Sequence, residues 1–180
     1  MIFLMRHGED DNTRLGGWSN ARLSPVGIKQ VKNSAKKIIE ENYNINYIFS
    51  SDLPRAKETA EIIAEHLDLE IGFIREFREI NNGRLAGMLK EEANERYHGI
   101  YYSALEWEEK YPDGESPKLF YERVSSAWKN FKNDVSRLSG NTLLVTHGGV
   151  VNIILCCENR VEYTNKYLNY SIGNAEIISI

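Results

Sequence analysis

The chain has 180 residues, 27% of them charged and 42% hydrophobic, a length that suits one domain with a sizeable core and at most a modest insertion. Its formal net charge of -4, from 22 basic and 26 acidic residues, gives no general attraction for nucleic acid, whose phosphates select a basic face. The only cysteines, Cys156 and Cys157, are adjacent in an apolar run, which excludes a disulfide scaffold and points to a reduced, cytoplasmic protein.

Ile2 to Met5 is a short apolar run of the buried-strand type, too short and without the basic flank of a signal peptide. A polar loop, Glu9 to Leu23, follows. Ser24-Pro25 reads as an N-cap with proline in the first helical position. Val26, Val31, Ala35, Ile38 and Ile39 then share a helical face through about residue 42. Tyr47 to Phe49 is a second strand. Ser50-Ser51-Asp52-Leu53-Pro54 is another cap signature, opening a helix that carries Ala56, Ala60, Ile63, Ala64 and Leu67. Leu69 to Ile74 is a third strand. From about 76 to 118 the pattern breaks into short pieces with five aromatics, Tyr97, Tyr101, Tyr102, Trp107 and Tyr111. These form either a small cap over a site or a satellite hydrophobic cluster. Ser116-Pro117 opens a long helix with Phe120, Val124, Ala127, Trp128, Phe131 and Val135. Asn141 to Val145 is a fourth strand, Val150 to Cys157 an apolar helix, and Ala175 to Ile180 a last strand. No run approaches the ~20 apolar residues of a membrane span. Alternating strands and helices predict an α/β sandwich with a largely parallel sheet, in which ligands bind beyond the carboxyl ends of the strands.

Two histidines fall at such ends. In Arg6-His7-Gly8 the imidazole projects at the ligand edge, the glycine lets backbone approach a ligand, and Arg6 offers a planar charged fork suited to phosphate oxygens. Thr146-His147-Gly148-Gly149 repeats the arrangement before a helix start whose N–H groups favour an anion. Arg55, in the first turn of its helix, opposes the helix dipole and calls for an anion nearby. Glu79 precedes a glycine turn and is unremarkable alone. The four histidines and two cysteines show no metal-ligand spacing, so no metal and no cofactor is expected. His66 suits a helix C-terminal contact, and His98 is a candidate substrate contact.

Together, Arg6-His7-Gly8-Glu9, Ser51-x-Leu53-x-Arg55-Ala56-x-x-Thr59-Ala60, Glu79-x-x-x-Gly83-x-x-x-Gly87, Gly114-Glu115-Ser116 and Thr146-His147-Gly148-Gly149 occur in an order that resembles the histidine phosphatase superfamily, also called phosphoglycerate-mutase-like. The resemblance covers nearly the whole chain. It implies a three-layer α/β/α sandwich with a mostly parallel sheet, a single domain over 1–180 with a small cap at about 80–115, and no metal. It further implies that His7 is the nucleophile, that Arg6, Arg55 and His147 hold the phosphoryl oxygens, and that Glu79 exchanges the proton. Gly8, Gly148 and the glycine turn at Gly17 fall at substrate-binding positions. Asp10-Asp11 departs from the family pattern, in which Thr or Ser commonly follows the glutamate. Two carboxylates repel a dianion unless they point away, and Asn12 or Thr13 is left to supply the polar ligand. Arg14 and Arg22 read as surface residues.

The leading expectation is a phosphomonoester hydrolase working through phosphohistidine on a small phosphorylated metabolite. A cofactor-dependent phosphoglycerate mutase is the alternative. It needs further cations, whereas Lys90, Arg96, Lys110 and Lys118 are scattered. A non-catalytic phosphate-binding module is the third reading, disfavoured because nucleophile and acid are both present. The expected partner is a small phosphorylated substrate, with no nucleic acid and no membrane. The sequence leaves the oligomeric state open, a homodimer included.

Overall fold

The structure, a computed structural model, describes residues 1–180. In chain order it runs β1 (Ile2–Arg6), α1 (Pro25–Glu40), β2 (Ile45–Ser50), α2 (Pro54–Leu67), β3 (Ile71–Phe73), 3-10 turns at Arg75–Phe77 and Gly83–Leu85, α3 (Lys90–Arg96), α4 (Pro117–Val135), β4 (Asn141–Thr146), α5 (Gly148–Asn159) and β5 (Ile177–Ser179). The strands form one sheet in the order β3-β2-β4-β1-β5, parallel throughout except for β5.

Strand alternation sets the layers. Phe3 and Met5 of β1 and Leu143 and Val145 of β4 face α1 and α2, meeting Val31, Ala35, Ile38, Ala60 and Ile63. Leu4 and Leu144 face the other way, onto Phe120, Val124 and Trp128 of α4 and Val150 and Ile154 of α5. Both faces of the central strands are covered, which is why they read as continuous apolar runs. The result is the expected α/β/α sandwich. No helix is long and apolar enough to cross a membrane.

The helix starts follow their caps at α1 and α4. Ser24 Oγ accepts from Gly27 N at 3.0 Å, and Ser116 Oγ accepts from Leu119 N at 3.2 Å, each ahead of a proline. At α2 the cap expected from Ser50 to Asp52 is not made. Leu53 occupies the cap position without a side-chain bond, because the polar groups before it are committed elsewhere. Asp52 takes Arg78 in a two-pronged pair at 2.5 and 2.7 Å, and Ser51 turns to His147. On α1, Val26 and Ile39 are both 53% exposed, since the stripe against the sheet is narrower than expected: Gly27, Val31, Ala35 and Ile38. The last strand starts at Ile177 rather than Ala175. Ala175 has φ 57°, outside the strand region, and its N–H serves the Arg6 and His7 carbonyls.

The segment between β3 and α4 holds a small cluster of Leu85, Leu105 and Tyr111, against which Tyr97, Ile100 and Tyr102 pack. The aromatics divide their duties. Tyr97 and Tyr111 belong to this cluster, Trp107 packs against Tyr121 and Tyr163, and Tyr102 also walls a cavity beside Glu79.

Candidate active site

The site arises from strands that end in register. Arg6 of β1 lies opposite Thr146 of β4, and Ser50 of β2 lies opposite Val145. One residue beyond the first pair stand His7 and His147, with ring centroids 5.1 Å apart and an interplanar angle of 61°. Arg55 arrives from the first turn of α2, at the end of neighbouring β2.

His7 is 5% exposed, and its protonation state follows from its contacts. Nδ1 lies 2.7 Å from Gly8 O, and a carbonyl only accepts, so Nδ1 carries the hydrogen. Nε2 is left with its lone pair, toward which Arg55 Nε–H donates at 3.1 Å. Burial above all, then the positive charge of Arg55 and, less, that of Arg6, holds the His7 pKa well below the ordinary 6.5, while the Gly8 carbonyl works the other way. The ring is therefore a neutral imidazole with one available nitrogen lone pair. Gly8 packs away from the cleft: a Cβ there would lie 2.7 Å from Gly27 O and 2.8 Å from Val31 Cγ2, so its bareness serves the close approach of α1.

His147 is fully buried beside His7. Its Nε2 pairs with Ser51 Oγ at 2.9 Å, and its Nδ1 is buried with no protein partner. Burial and then Arg55 depress its pKa as well. Arg6 donates Nη1–H to Ile172 O at 3.0 Å, while its Nε is buried without a partner. A Cβ on Gly148 would come within 3.6 Å of that nitrogen. Unpaired buried donors are rare and costly, about 1–3 kcal/mol each. Arg6 Nε is such a donor, and His147 Nδ1 is a second one when the Ser51 hydroxyl donates to Nε2, so both are suited to an anion held beside His7.

Arg55 is 2% exposed. Besides His7 it reaches Gly17 O at 2.9 Å and Ser19 Oγ at 3.4 Å. The anion its helix position calls for comes from the chain itself: Asp10 Oδ2 is 3.4 Å from Arg55 Nε. Burial raises the Asp10 pKa and Arg55 opposes that rise. Asp10 thus points inward and Asp11 is paired outside, with Arg14 at 3.4 Å and with Thr13.

Glu79 sits across from these cations. Its Oε2 accepts from Gly149 N at 3.0 Å and its Oε1 from Ile80 N at 3.1 Å. A Cβ on Gly149 would collide with that carboxyl, so glycine at the second position of α5 makes room for it. The Glu79 backbone is clamped in turn. Its carbonyl accepts from Trp18 Nε1 at 2.7 Å and from Arg123 Nη2 at 3.1 Å. Arg123 also donates to the Glu76 and Arg78 carbonyls at 2.6 and 3.0 Å, and the Glu115 carboxylate grips it at 2.7 and 2.8 Å.

A cleft of about 300 Å³ opens onto this group, lined by Arg6, His7, Asp10, Asn12, Gly17, Arg55 and Glu79, with Arg14 and Lys90 at its edge. Of the residues the sequence singled out, Gly8, Thr13, His147 and Gly148 do not line it. His147 and Gly148 stand directly behind it, and the Thr13 hydroxyl is bound to Asp11. His98 is exposed and outside the cleft, and His66 contacts the Ile62 carbonyl near its helix end. Sequence reasoning missed the inward turn of Asp10, Lys90, Ser51 and the Glu115–Arg123 brace. Arg123 had one readable signal, a charge directly beside the apolar stripe of Phe120 and Val124.

Comparison with known proteins gives a consistent picture. The model of the histidine phosphatase superfamily, branch 1, matches residues 2–180. "Uncharacterized phosphatase PhoE" of Bacillus subtilis (strain 168) is 31% identical over 157 residues, 86% of this chain and 75% of that protein. "Probable phosphoglycerate mutase GpmB" of Escherichia coli O1:K1 is 33% identical over 155 residues, covering 82% and 69%. Among solved structures, the α-ribazole phosphatase of Shigella flexneri superposes with a TM-score of 0.81 at 19% identity, covering 98% of this chain and 87% of that one. The mycobacterial glucosyl-3-phosphoglycerate phosphatase does so at 0.79 and 22%, again over 98% and 87%.

Proposed function

The chain belongs to the histidine phosphatase superfamily, and from that premise we propose that it hydrolyses phosphomonoesters through a phosphohistidine on His7. The observation that carries this reading is the tautomer of His7: the Nδ1–H···O bond to Gly8 leaves the lone pair on Nε2, where Arg55 Nε–H holds it at 3.1 Å in a cleft that also presents Arg6.

In the first step Nε2 forms a bond to phosphorus as the ester P–O bond breaks, and the leaving oxygen takes the electron pair and a proton from Glu79. For that attack the Nε2 lone pair must first be released: Arg55 keeps its proton but redirects its Nε–H hydrogen bond from His7 Nε2 to a phosphoryl oxygen as the substrate enters, and Arg6 Nε and His147 Nδ1 are placed to supply further contacts. Charge in such a transition state spreads over the non-bridging oxygens, so fixed donors aimed at them carry most of the catalysis. In the second step water attacks phosphorus and gives its proton to Glu79, and the P–N bond breaks to restore neutral His7. The depressed pKa of His7 supports this role, because a protonated ring has no lone pair to attack with.

Asp10 lends the cleft a negative charge that phosphate must displace from Arg55. The free, unpaired Cys156 and Cys157 support a cytoplasmic setting. A phosphatase panel with bisphosphoglycerate-dependent mutase activity as control tests the reading. Ester hydrolysis abolished by His7→Ala is the expected result, and mutase turnover that exceeds hydrolysis refutes it.

A further inference from the structure

A second cavity, of about 440 Å³, lies on the far side of Glu79 and shares that residue with the phosphate cleft. Glu79 and Gly149 form its boundary toward the catalytic group. Tyr102, Phe120 and Tyr163 supply aromatic wall. A carboxyl that protonates the leaving oxygen must stand between the phosphoryl group and the rest of the alcohol, and Glu79 stands between these two spaces. We propose that the second cavity receives the alcohol half of the ester, and that this alcohol is uncharged and carries a ring. The proposal rests on the phosphatase reading above and adds the class of leaving group to it.

The polar groups in the cavity are neutral and ready for a ligand. Asn152 is 1% exposed; its Oδ1 accepts from Tyr170 N at 2.9 Å, which leaves Nδ2 as a donor without a protein partner. Asn165, 6% exposed, donates Nδ2 to the Tyr102 and Leu105 carbonyls, both at 2.8 Å, and leaves Oδ1 as an acceptor. One donor and one acceptor among aromatic rings can meet hydroxyls or ring nitrogens, and neither can neutralise a charge. The Tyr102 and Tyr163 hydroxyls bind one another, and burial raises both their pKa values, so both remain neutral.

The charged groups at the cavity work against an anionic alcohol. Lys166 is the sole cation in the lining, and its ammonium is already committed: to Leu105 O at 2.8 Å, Ala104 O at 3.4 Å and Glu106 Oε1 at 3.4 Å. Glu79 is the other ionisable group in the lining, and in neither protonation state does it offer an anion a positive charge. A carboxylate-bearing alcohol such as that of a phosphoglycerate would enter with no free counter-charge, at a cost that a neutral ring does not meet. Buried aromatic walls reward a ring through apolar contact.

The test compares kcat/KM for three esters with primary alkoxide leaving groups: ethyl phosphate, phenethyl phosphate and carboxypropyl phosphate. Their similar leaving-group chemistry makes differences report on the cavity. Phenethyl phosphate is expected to exceed ethyl phosphate by at least about tenfold, the scale on which apolar pockets discriminate, and carboxypropyl phosphate to fall below it. Ser103→Trp, which narrows the cavity at an exposed wall position, should erase the phenethyl advantage, read as the ratio of the phenethyl and ethyl kcat/KM values within that variant. Equal rates for phenethyl and ethyl phosphate, a preference for the carboxylate ester, or a phenethyl advantage untouched by Ser103→Trp would each overturn the cavity assignment while leaving the phosphatase reading in place. Absence of any His7-dependent hydrolysis of ethyl phosphate would overturn the phosphatase reading, and this proposal with it.

Discussion

Replacing Glu79 by glutamine separates proton transfer from oxygen clamping. The side chain keeps its shape but not its contacts. The carboxylate accepts from Gly149 N at 3.0 Å and Ile80 N at 3.1 Å, whereas an amide has one oxygen and must turn its NH₂ toward one of those donors. One lost bond in a partly buried site costs about 1–2 kcal/mol, so misplacement alone slows every ester by roughly five- to thirtyfold. Loss of the proton adds ~10²–10⁴ where the leaving group is an alkoxide. It adds little where the leaving group is p-nitrophenolate, already stable as an anion. Glu79→Gln should therefore slow phosphoenzyme formation from glycerol phosphate about a hundredfold or more beyond its effect on p-nitrophenyl phosphate. Rapid-quench measurement of phosphoenzyme formation is the assay, because the proposed mechanism also has Glu79 take the proton of water in the second step. Equal slowing of both esters in the first step would refute the role. Asp10, the other carboxyl beside Arg55, would then become the candidate acid.

The two buried histidines make stability depend on pH. Their native pKa values lie well below 6.5, so the unfolded chain binds more protons and stability falls as pH drops below about 6.5, by up to ~1.4 kcal/mol per pH unit for each histidine. A melting temperature that stays level across that range in the unliganded protein would contradict their buried, neutral state. Asp10→Asn removes the charge that competes for Arg55, and inorganic phosphate should inhibit about tenfold more strongly. The tightening of phosphate inhibition that accompanies Asp10 protonation in the parent should vanish in this variant; unchanged inhibition constants would show that Asp10 does not compete. Arg123→Ala releases the Glu76, Arg78 and Glu79 carbonyls, so kcat should fall about tenfold or more for alkyl phosphates with KM nearly constant and p-nitrophenyl phosphate less affected. A loss confined to KM would deny it the positioning of Glu79.

Much of this arrangement was readable because local signals and tertiary structure agree. The runs at Ile2–Arg6 and Asn141–Thr146 are buried on both faces, so their apolar continuity marks strands that lie side by side, and the histidines after them must then meet. Ser24-Pro25 and Ser116-Pro117 act as local caps. The signal failed where a side chain chose a distant partner over a near one. Asp52 looks like a cap but goes to Arg78, 26 residues away, and Ser51 Oγ, which accepts locally only from Leu53 N at 3.3 Å, pairs with His147, 96 residues away. Asp10 turns inward because α2 brings Arg55 to it, which no local pattern in Glu9 to Leu23 encodes. The Glu115–Arg123 brace depends on how α4 approaches the turn at Arg75–Phe77. Gly8 suggested a ligand at close range, while the tight contact there is with α1. Tertiary contacts outweigh local preference at all four places.

The central claim is that Nε2 of His7 becomes covalently phosphorylated. Mixing enzyme with p-nitrophenyl phosphate, quenching in alkali to preserve the acid-labile P–N bond and mapping the labelled peptide by mass spectrometry tests it directly. The account predicts one added phosphoryl group per chain, on His7, formed fast enough to support turnover and absent in His7→Ala. Turnover with no phosphoryl group on His7, or a label on His147 or a carboxylate instead, would contradict it.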